Sequence, residues 1–411
     1  MKILVIGKGG REHALAYAAN RSKKVKQVYV APGNTGMQDV AKLVDINDSD
    51  IEGLVAFAKK ENIDLTIVGP ESALSLGVVD AFQKEGLKIF GPNQAAAQVE
   101  SSKDFAKKMM AKYDIPTAEY KTFNTKKEAK EYVESKGAPI VIKEDGLKAG
   151  KGVTVATTIE EAYEALDIAF DIPNNKVVIE ECLVGFEFSL MTFVCDDLVI
   201  PMEIAQDHKT AYEDDKGPNT GGMGAYSPVK TITPEIIDEA MEKVMIPMAK
   251  AMQKEGVPFT GFLYGGMMLT KEGVKTIEFN ARFGDPEAEV ILPRLESDFI
   301  EVIESVMNKQ DIELIWKNNV TVGVVMASTN YPQSSTKDAI IKGIEDVETL
   351  VFHMGTAKKN NELVTAGGRV LVVVGEAKTL EEAYAKAYKE IKKIKCDDLF
   401  YRNDIGKKDM A

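Results

Sequence analysis

Glu278, Asn280 and Arg282 stand at alternate positions of a short run, Thr276 to Phe283. A strand repeats its side-chain direction every second residue, so a carboxylate, an amide and a guanidinium share one face while Ile277, Phe279 and Ala281 take the other. Oxygen donors of this kind suit hard Mg²⁺, and a guanidinium can clamp a phosphoryl or carboxylate group. A solvated sheet face is the competing reading. Asparagine fits a mid-strand position poorly, which favours the metal and phosphate surface.

The segment Lys143 to Gly152 has glycines at 146, 150 and 152. It is not a P-loop: Gly146 to Gly150-Lys151 is one residue short, Gly152 replaces Ser or Thr, and Val153 to Ala156 read as strand. A glycine flap joining two antiparallel strands is expected, with backbone N–H groups able to close over phosphates. Lys143 ends an otherwise apolar strand, where a lysine needs an anionic partner; a phosphate is a natural one. A plain glycine hairpin is the weaker reading, because three glycines exceed what a hairpin needs.

Further on, Val177 to Glu187 reads as a strand entering a polar turn. Glu180 and Glu181 point to opposite faces, so at most one shares a face with a ligand. The turn's backbone could read a base and Glu187 could accept hydrogen bonds from a ribose, although acids alone also mark a solvated strand end. Gln206 to Gly224 shows no hydrophobic period over 19 residues and holds Asp207, Lys209, Asp214, Asn219, Thr220, Gly221 and Gly222. Loops of that length are functional or disordered; the specified run Gly221 to Pro228 favours a substrate-binding loop.

Near the start, Gly7 to His13 places a glycine turn before a helix, where anions bind. A dinucleotide fingerprint would need glycine at position 12, which is Glu12, and an acid after the second strand, which ends in Ala31, Pro32 and Gly33. An NAD oxidoreductase is thereby disfavoured. Gly9, Gly10, Arg11 and Glu12 are left as a site for a small phosphorylated sugar or as a tight turn without a ligand. His13 reads as a packing or capping residue.

The elements that must carry these residues alternate at first. Strands at Ile3–Ile6, Gln27–Val30, Leu65–Val68 and Leu87–Phe90 and helices at Arg11–Asn20, Ile51–Glu61 and Val78–Glu85 predict a doubly wound parallel sheet, with ligands beyond the strand ends. From Ser101 the pattern becomes a helix, an αββαβ unit suited to a lid, a hairpin about Cys195–Asp197, a long helix over Thr233–Glu255, paired strands about Lys271–Gly273 and a mainly helical stretch from Pro286 to Met307. Strands at Val320–Ala327 and Arg369–Gly375 and a helix at Leu380–Ile391 end the chain.

The 411 residues suit several domains, and 45% hydrophobic with 28% charged residues is ordinary for a globular protein. A net charge of −13 and the lack of a basic run argue against nucleic acid. Three unpaired cysteines and no apolar stretch of membrane length predict a cytoplasmic protein with no membrane association.

Three runs, Gly9 to Ala14, Gly217 to Pro228 and Arg282 to Glu287, together with the close at Phe400 to Gly406, resemble the phosphoribosylamine–glycine ligase family of the ATP-grasp superfamily, and the resemblance covers essentially the whole chain. Two departures are Lys148, where a small residue is expected, and Glu289, where the family usually has glutamine. The resemblance implies an α/β and α+β multidomain fold: an N-terminal α/β domain (1–100), an ATP-grasp core (101–119 and 189–314), its lid (120–188) and a mixed C-terminal domain (315–411). It implies ATP as co-substrate, Mg²⁺ or Mn²⁺, glycine and 5-phosphoribosylamine as partners, and a monomer or weak homo-oligomer. Lys103 and Lys143, with Gly150, Lys151 and Gly152, would meet the ATP phosphates. Glu180, Glu181 and Leu183 would flank adenine, Glu187 would hold ribose, and Glu278 and Asn280 would ligate the metal. Lys143, Arg282 and Asp285 would serve the reaction, with Asp207, Asp214 and Asp285 as candidate acceptors of the amine proton. Another ATP-grasp carboxylate–amine ligase is the alternative.

Overall fold

The computed structural model describes residues 1–148 and 152–410. Five parallel strands run in the order Lys42–Leu43, Gln27–Pro32, Lys2–Gly7, Leu65–Val68, Ile89–Phe90. The order reverses at Lys2–Gly7, and a crevice at the carboxyl ends of the strands follows from that reversal. Two features are additional to the sequence reading. Lys42–Leu43 and the helix Glu71–Ser75 are too short to show a period. The strand expected from Leu87 contracts to Ile89–Phe90.

The central sheet is antiparallel, ordered Leu198–Pro201, Phe186–Cys195, Thr260–Thr270, Gly273–Asn280. Phe262 of this sheet meets the Phe90 ring edge-on at 5.0 Å and Phe283 at 5.1 Å. Aromatic packing of this kind ties the N-terminal sheet to the central one. The long helix expected over Thr233–Glu255 is Pro234–Ala240, a π turn at Met241–Met245, and Ile246–Lys254. Pro247 lacks the N–H an α-helix needs there, which accounts for the widened turn. After Glu287–Ile291 and a 3₁₀ turn at Leu292–Arg294 the backbone breaks, and Asp298 caps Phe299–Met307 by accepting from Ile300 N at 3.0 Å.

Four antiparallel strands form the lid sheet, in the order Tyr120–Phe123, Val177–Glu181, Ile140–Glu144, Val153–Ala156. Helices Lys126–Lys136 and Ile159–Phe170 bury Ala129, Val133, Ala162 and Leu166 against Phe123, Ile142 and Ile179. This small core is separate from the two larger ones.

The last large sheet crosses the boundary drawn at 314/315. Its order is Gln206–Asp207, Gly224–Ser227, Val320–Ser328, Arg369–Ala377, Leu350–His353, with Leu399–Phe400 pairing the end of Val320–Ser328. Two strands from the central segment thus belong to it. The stretch between them, read as a structureless loop, is a hairpin: Thr210–Tyr212 pairs with Lys216–Asn219. Its strands are too short and too polar to announce themselves. Among the described residues, no helix is long and apolar enough to cross a membrane.

Leu166→Ala should open a cavity in the lid core alone, costing about 2–5 kcal/mol locally. Hydrogen exchange should quicken across 120–181 and stay unchanged in the N-terminal sheet; uniform quickening would show that the lid has no separate cooperativity.

Candidate active site

A cavity of about 820 Å³ lies where the N-terminal sheet, lid, central sheet and C-terminal sheet meet. Of the expected site residues it takes in Arg11, Lys103, Lys143, Gly152, Glu180, Glu181, Leu183, Glu187, Asp207, Lys209, Asn219, Thr220, Gly221, Glu278, Asn280, Arg282 and Asp285. Gly150 and Lys151 lie outside the described residues.

Glu278 and Asn280 come from the strand Gly273–Asn280, whose pairing is irregular: Gly266 opposes Glu278 and Met267 opposes Thr276. Ile277 is therefore the extra residue of a bulge, and its carbonyl accepts from Lys143 Nζ at 3.0 Å. Arg282 lies past the strand's end yet still faces the cavity. Asn280 Nδ2 is 3.5 Å from Glu278 Oε1, and Lys209 Nζ lies 3.7 Å from Glu278 and 2.5 Å from Glu187. Burial alone would raise the Glu278 carboxyl, but Lys209, Lys143, Lys103 and Arg282 hold it at about 2. Lys209 is pushed well up; burial opposes this, and Glu187 chiefly overcomes it. Among the described residues no group of three or more His, Cys, Asp or Glu side chains is disposed around a metal position.

Lys143 needs an anionic partner, for which a phosphate is a natural expectation, and it has one inside the protein. Its Nζ lies 3.0 Å from Glu180, whose other oxygen is 3.0 Å from Lys107 Nζ. Glu180 is buried and Glu181 exposed, as opposite faces require. Lys103 donates from Nζ to Gly146 O at 2.9 Å, and its backbone N–H donates to Asp145 Oδ1 at 2.7 Å. The base of the flap is thereby tied to the N-terminus of helix Lys103–Lys112. Lys148 folds back onto Glu144 at 2.8 Å.

Arg11 and Glu71 enter from the two strand ends flanking the reversal of the parallel sheet. Arg282 lies 3.1 Å from Glu100 and 3.5 Å from Glu71, and Arg11 lies 3.8 Å from Glu71. Glu71 is held at about 2, because Arg282 and Arg11 outweigh its burial. Burial instead lifts Glu100 to about 7 against the pull of Arg282.

Glu12 corrects the reading of the first turn as an open anion cradle. Its carboxylate accepts from Gly9 N at 2.6 Å, Lys8 N at 3.2 Å and Arg11 Nε at 2.6 Å, so the chain's own anion occupies those donors. A side chain at Gly7 (φ +122°) or Gly69 would strike Glu12. Gly9, Gly10 and Glu12 stand behind the wall that Arg11 reaches.

On the opposite wall Asp207 is pushed well up by burial and by Glu287. Asp285 pairs with Arg369 at 3.0 Å, and Arg369 also donates to Gly221 O at 2.7 Å. Tyr331 Oη accepts from Gly221 N at 2.9 Å. Gly222 packs behind Asp207, where a Cβ would meet Asp207 Oδ1. Asp214 faces solvent at the hairpin tip, away from the cavity, which removes it as a candidate for contact with reacting atoms.

Glu71, Glu100, Lys107, Tyr331 and Arg369 escaped the sequence reading. Glu71 follows the strand end Gly69-Pro70, and the rule that ligands sit at such ends could have found it. Tyr331 and Arg369 carry no local signal.

A glycine-flapped lid over an antiparallel sheet that presents a carboxylate–amide–guanidinium edge defines the ATP-grasp class. Residues 1–100 match the phosphoribosylglycinamide synthetase N domain, 101–288 its ATP-grasp (A) domain and 321–408 its C domain. The chain belongs to the phosphoribosylglycinamide synthetase family. It is 54% identical to the phosphoribosylamine–glycine ligase of Halalkalibacterium halodurans (100% of this chain, 98% of that one) and 52% identical to that of Lactococcus lactis (99% of each). The crystal structure of phosphoribosylamine–glycine ligase from Thermotoga maritima superposes with a TM-score of 0.87 at 32% identity, covering 99% of this chain and 100% of that one.

Two imidazoles next to the site are buried neutral. Burial takes His13 and His208 to about 3; His353 adds to the effect at His13, and Arg402 adds to it at His208. Their folded values lie below the unfolded 6.5. Their contribution is therefore whole above that value and is lost as pH falls towards 3, by about 1.4 kcal/mol per pH unit for each group. Glu100 titrates with the opposite sign, so the clean measure is a difference. Urea midpoints at pH 7 and pH 5 should diverge less for His13→Gln than for the wild type; equal divergence would contradict the buried neutral state.

Proposed function

We propose that the cavity binds ATP, glycine and 5-phosphoribosylamine and joins the last two, giving glycinamide ribonucleotide, ADP and phosphate. The observation carrying this reading is one convergence: Glu278 with Asn280, Lys103 with Lys143, and Arg282 all face the same cavity. A carboxylate is a poor electrophile. Transfer of the γ-phosphoryl group to the glycine carboxylate makes an acyl phosphate; the amine then attacks the acyl carbon, phosphate leaves, and an amide remains. Positioning and charge stabilisation suffice for both steps, with no enzyme nucleophile.

Lys103 and Lys143 are the groups for the nucleotide phosphates. Lys143 can turn from Glu180 to a phosphate because Lys107 stays to neutralise that carboxylate. The backbone from Glu181 to Leu183 is the adenine reader, and Glu187, steadied by Lys209, accepts from the ribose. Arg282 clamps the carboxylate that becomes phosphorylated. Arg11, Asp207, Asn219, Thr220 and Gly221 line the remaining space for the amine substrate, and Asp207 and Asp285 stand where its proton can be received.

The donor set fits a hard divalent ion: a carboxylate held ionised and a neighbouring amide, whose Nδ2 lies 3.5 Å from that carboxylate and whose oxygen would turn to the ion on binding. Mg²⁺ or Mn²⁺ held by Glu278 and Asn280 would offset phosphate charge. The flap closes over the phosphates and keeps water from the acyl phosphate.

ADP release should require both glycine and 5-phosphoribosylamine, and hydroxylamine supplied instead of the amine should trap activated glycine. ADP release with neither substrate would defeat the reading. Glu278→Ala should cut turnover on the order of a thousandfold or more with the fold intact; full activity at ordinary Mg²⁺ would refute its role. Lys143→Ala should lose ATP binding in calorimetry, and unchanged affinity would remove it from the phosphate site.

A further inference from the structure

The hairpin Thr210–Asn219 has little of its own to stand on. It forms a two-stranded sheet joined to no other, with only Thr210↔Asn219 and Tyr212↔Lys216 in register. Such a hairpin is marginal alone. Asp214 (φ 58°) and Asp215 (φ 54°) at its tip also take the left-handed conformation that side chains disfavour. Its root carries site residues: Lys209, which contacts Glu187 and Glu278, accepts at its carbonyl from Thr220 N at 2.7 Å and Thr220 Oγ1 at 2.8 Å, and Gly221 follows. Any drift of the hairpin moves both.

The closing segment of the chain supplies the missing support. Arg402 is only 1% exposed. Asp404 neutralises it through two contacts, 2.8 Å from Nε and 2.7 Å from Nη2. Its remaining donors are spent on the hairpin: Thr210 O at 3.1 Å, Thr210 Oγ1 at 2.8 Å and Asp215 Oδ1 at 3.3 Å. Asn403 Nδ2 donates to Glu213 at 2.6 Å, Asp214 N donates to Asp404 at 3.0 Å, and Lys408 pairs with Asp215. Gly406 N donates to His208 Nε2 at 3.3 Å, one residue from both Asp207 and Lys209. The segment is itself fixed: Tyr388 Oη donates to Arg402 O at 2.6 Å, and Asp409 accepts from Lys230 N at 2.6 Å.

We infer that Arg402, with the segment Asn403–Lys408, is a positioning element for the ligase reaction: it holds the Thr210–Asn219 hairpin so that Lys209 and Gly221 keep their places in the cavity. A tail that merely closed the C-terminal sheet would have no reason to direct a buried guanidinium at a hairpin outside that sheet. The inference rests on the proposed use of glycine and ATP.

Arg402→Met keeps the apolar stem and deletes the fork, and Arg402→Lys restores charge without bidentate geometry. Glu213→Ala cuts the latch from the exposed side of the hairpin and cannot disturb the core. Hydrogen exchange should quicken in 208–221 in all three, most in Arg402→Met. kcat/KM for glycine should fall by roughly tenfold or more in Arg402→Met, with partial rescue in Arg402→Lys. Calorimetric ATP affinity should weaken less than kcat/KM falls, since Lys209 steadies Glu187 at the ribose while Lys103 and Lys143 are untouched. If Arg402→Met does not fold, Glu213→Ala carries the test, with faster hairpin exchange, lower kcat/KM and unchanged Tm. Faster hairpin exchange with unchanged kcat/KM would overturn the inference, as would unchanged hairpin exchange. The exchange readout needs no substrate, and a wild-type enzyme silent toward glycine would instead sink the functional reading on its own.

Discussion

Lys143 and Lys107 are both nearly inaccessible, and a single carboxylate, Glu180, lies 3.0 Å from each. Two buried cations share this buried anion, and Lys143 also helps hold Glu278 ionised, so the groups form one linked set in which no charge is kept from water without a partner. Glu180 is on the lid strand Val177–Glu181, Lys143 on its neighbour Ile140–Glu144, and Lys107 on the helix below. The set sits where these elements meet, and its members line the cavity. The lid is thus tied to the helix Lys103–Lys112 by charge that the protein carries before any ligand arrives.

The same constraint explains where anions are not received. Two helix N-termini near the cavity would ordinarily attract phosphate. Both are filled by the protein's own carboxylates, Glu12 at Gly9 and Asp145 at Lys103. With the backbone donors occupied, the cations left lining the cavity are side chains, among them Lys103, Lys143, Lys209, Arg11 and Arg282. Side-chain cations can swing between an internal partner and a ligand, whereas a capped helix end cannot. A site that must bind, react and release gains from that difference.

Much of this was legible in the sequence because it depends on local periodicity. Helices Ile51–Glu61, Ile159–Phe170 and Leu380–Ile391 and the strand Leu65–Val68 have their expected limits, since each is a clean apolar period with a cap or glycine at its ends. The alternate residues Glu278 and Asn280 likewise share the cavity. What stayed hidden depends on distant partners. The irregular pairing opposite Gly266 frees the Ile277 carbonyl for Lys143, and nothing in the strand's own residues announces it. Arg369, on a strand 148 residues beyond Gly221, and Tyr331, in a turn 110 residues beyond it, reach that loop from a distance. Glu12 looked like a break in a motif; in three dimensions it is the group that fills the motif's anion site.

Glu289 shows how burial can cancel a change of residue. It stands where the family pattern has glutamine, is fully buried, and has neither carboxylate oxygen hydrogen-bonded. An ionised carboxylate there would be unsupported, and Asp285 nearby makes ionisation worse. Burial first and Asp285 second push the group well above the usual carboxylate range, with Arg369 only partly opposing. Burial and Asp285 thus both oppose its charge, and the side chain has nearly the volume of the amide. Gly10 lies so close that a Cβ would come within 2.3 Å of Glu289 Oε1, so shape as well as charge is constrained there. A side chain of glutamine's size that resists ionisation meets both constraints better than a free carboxylate would.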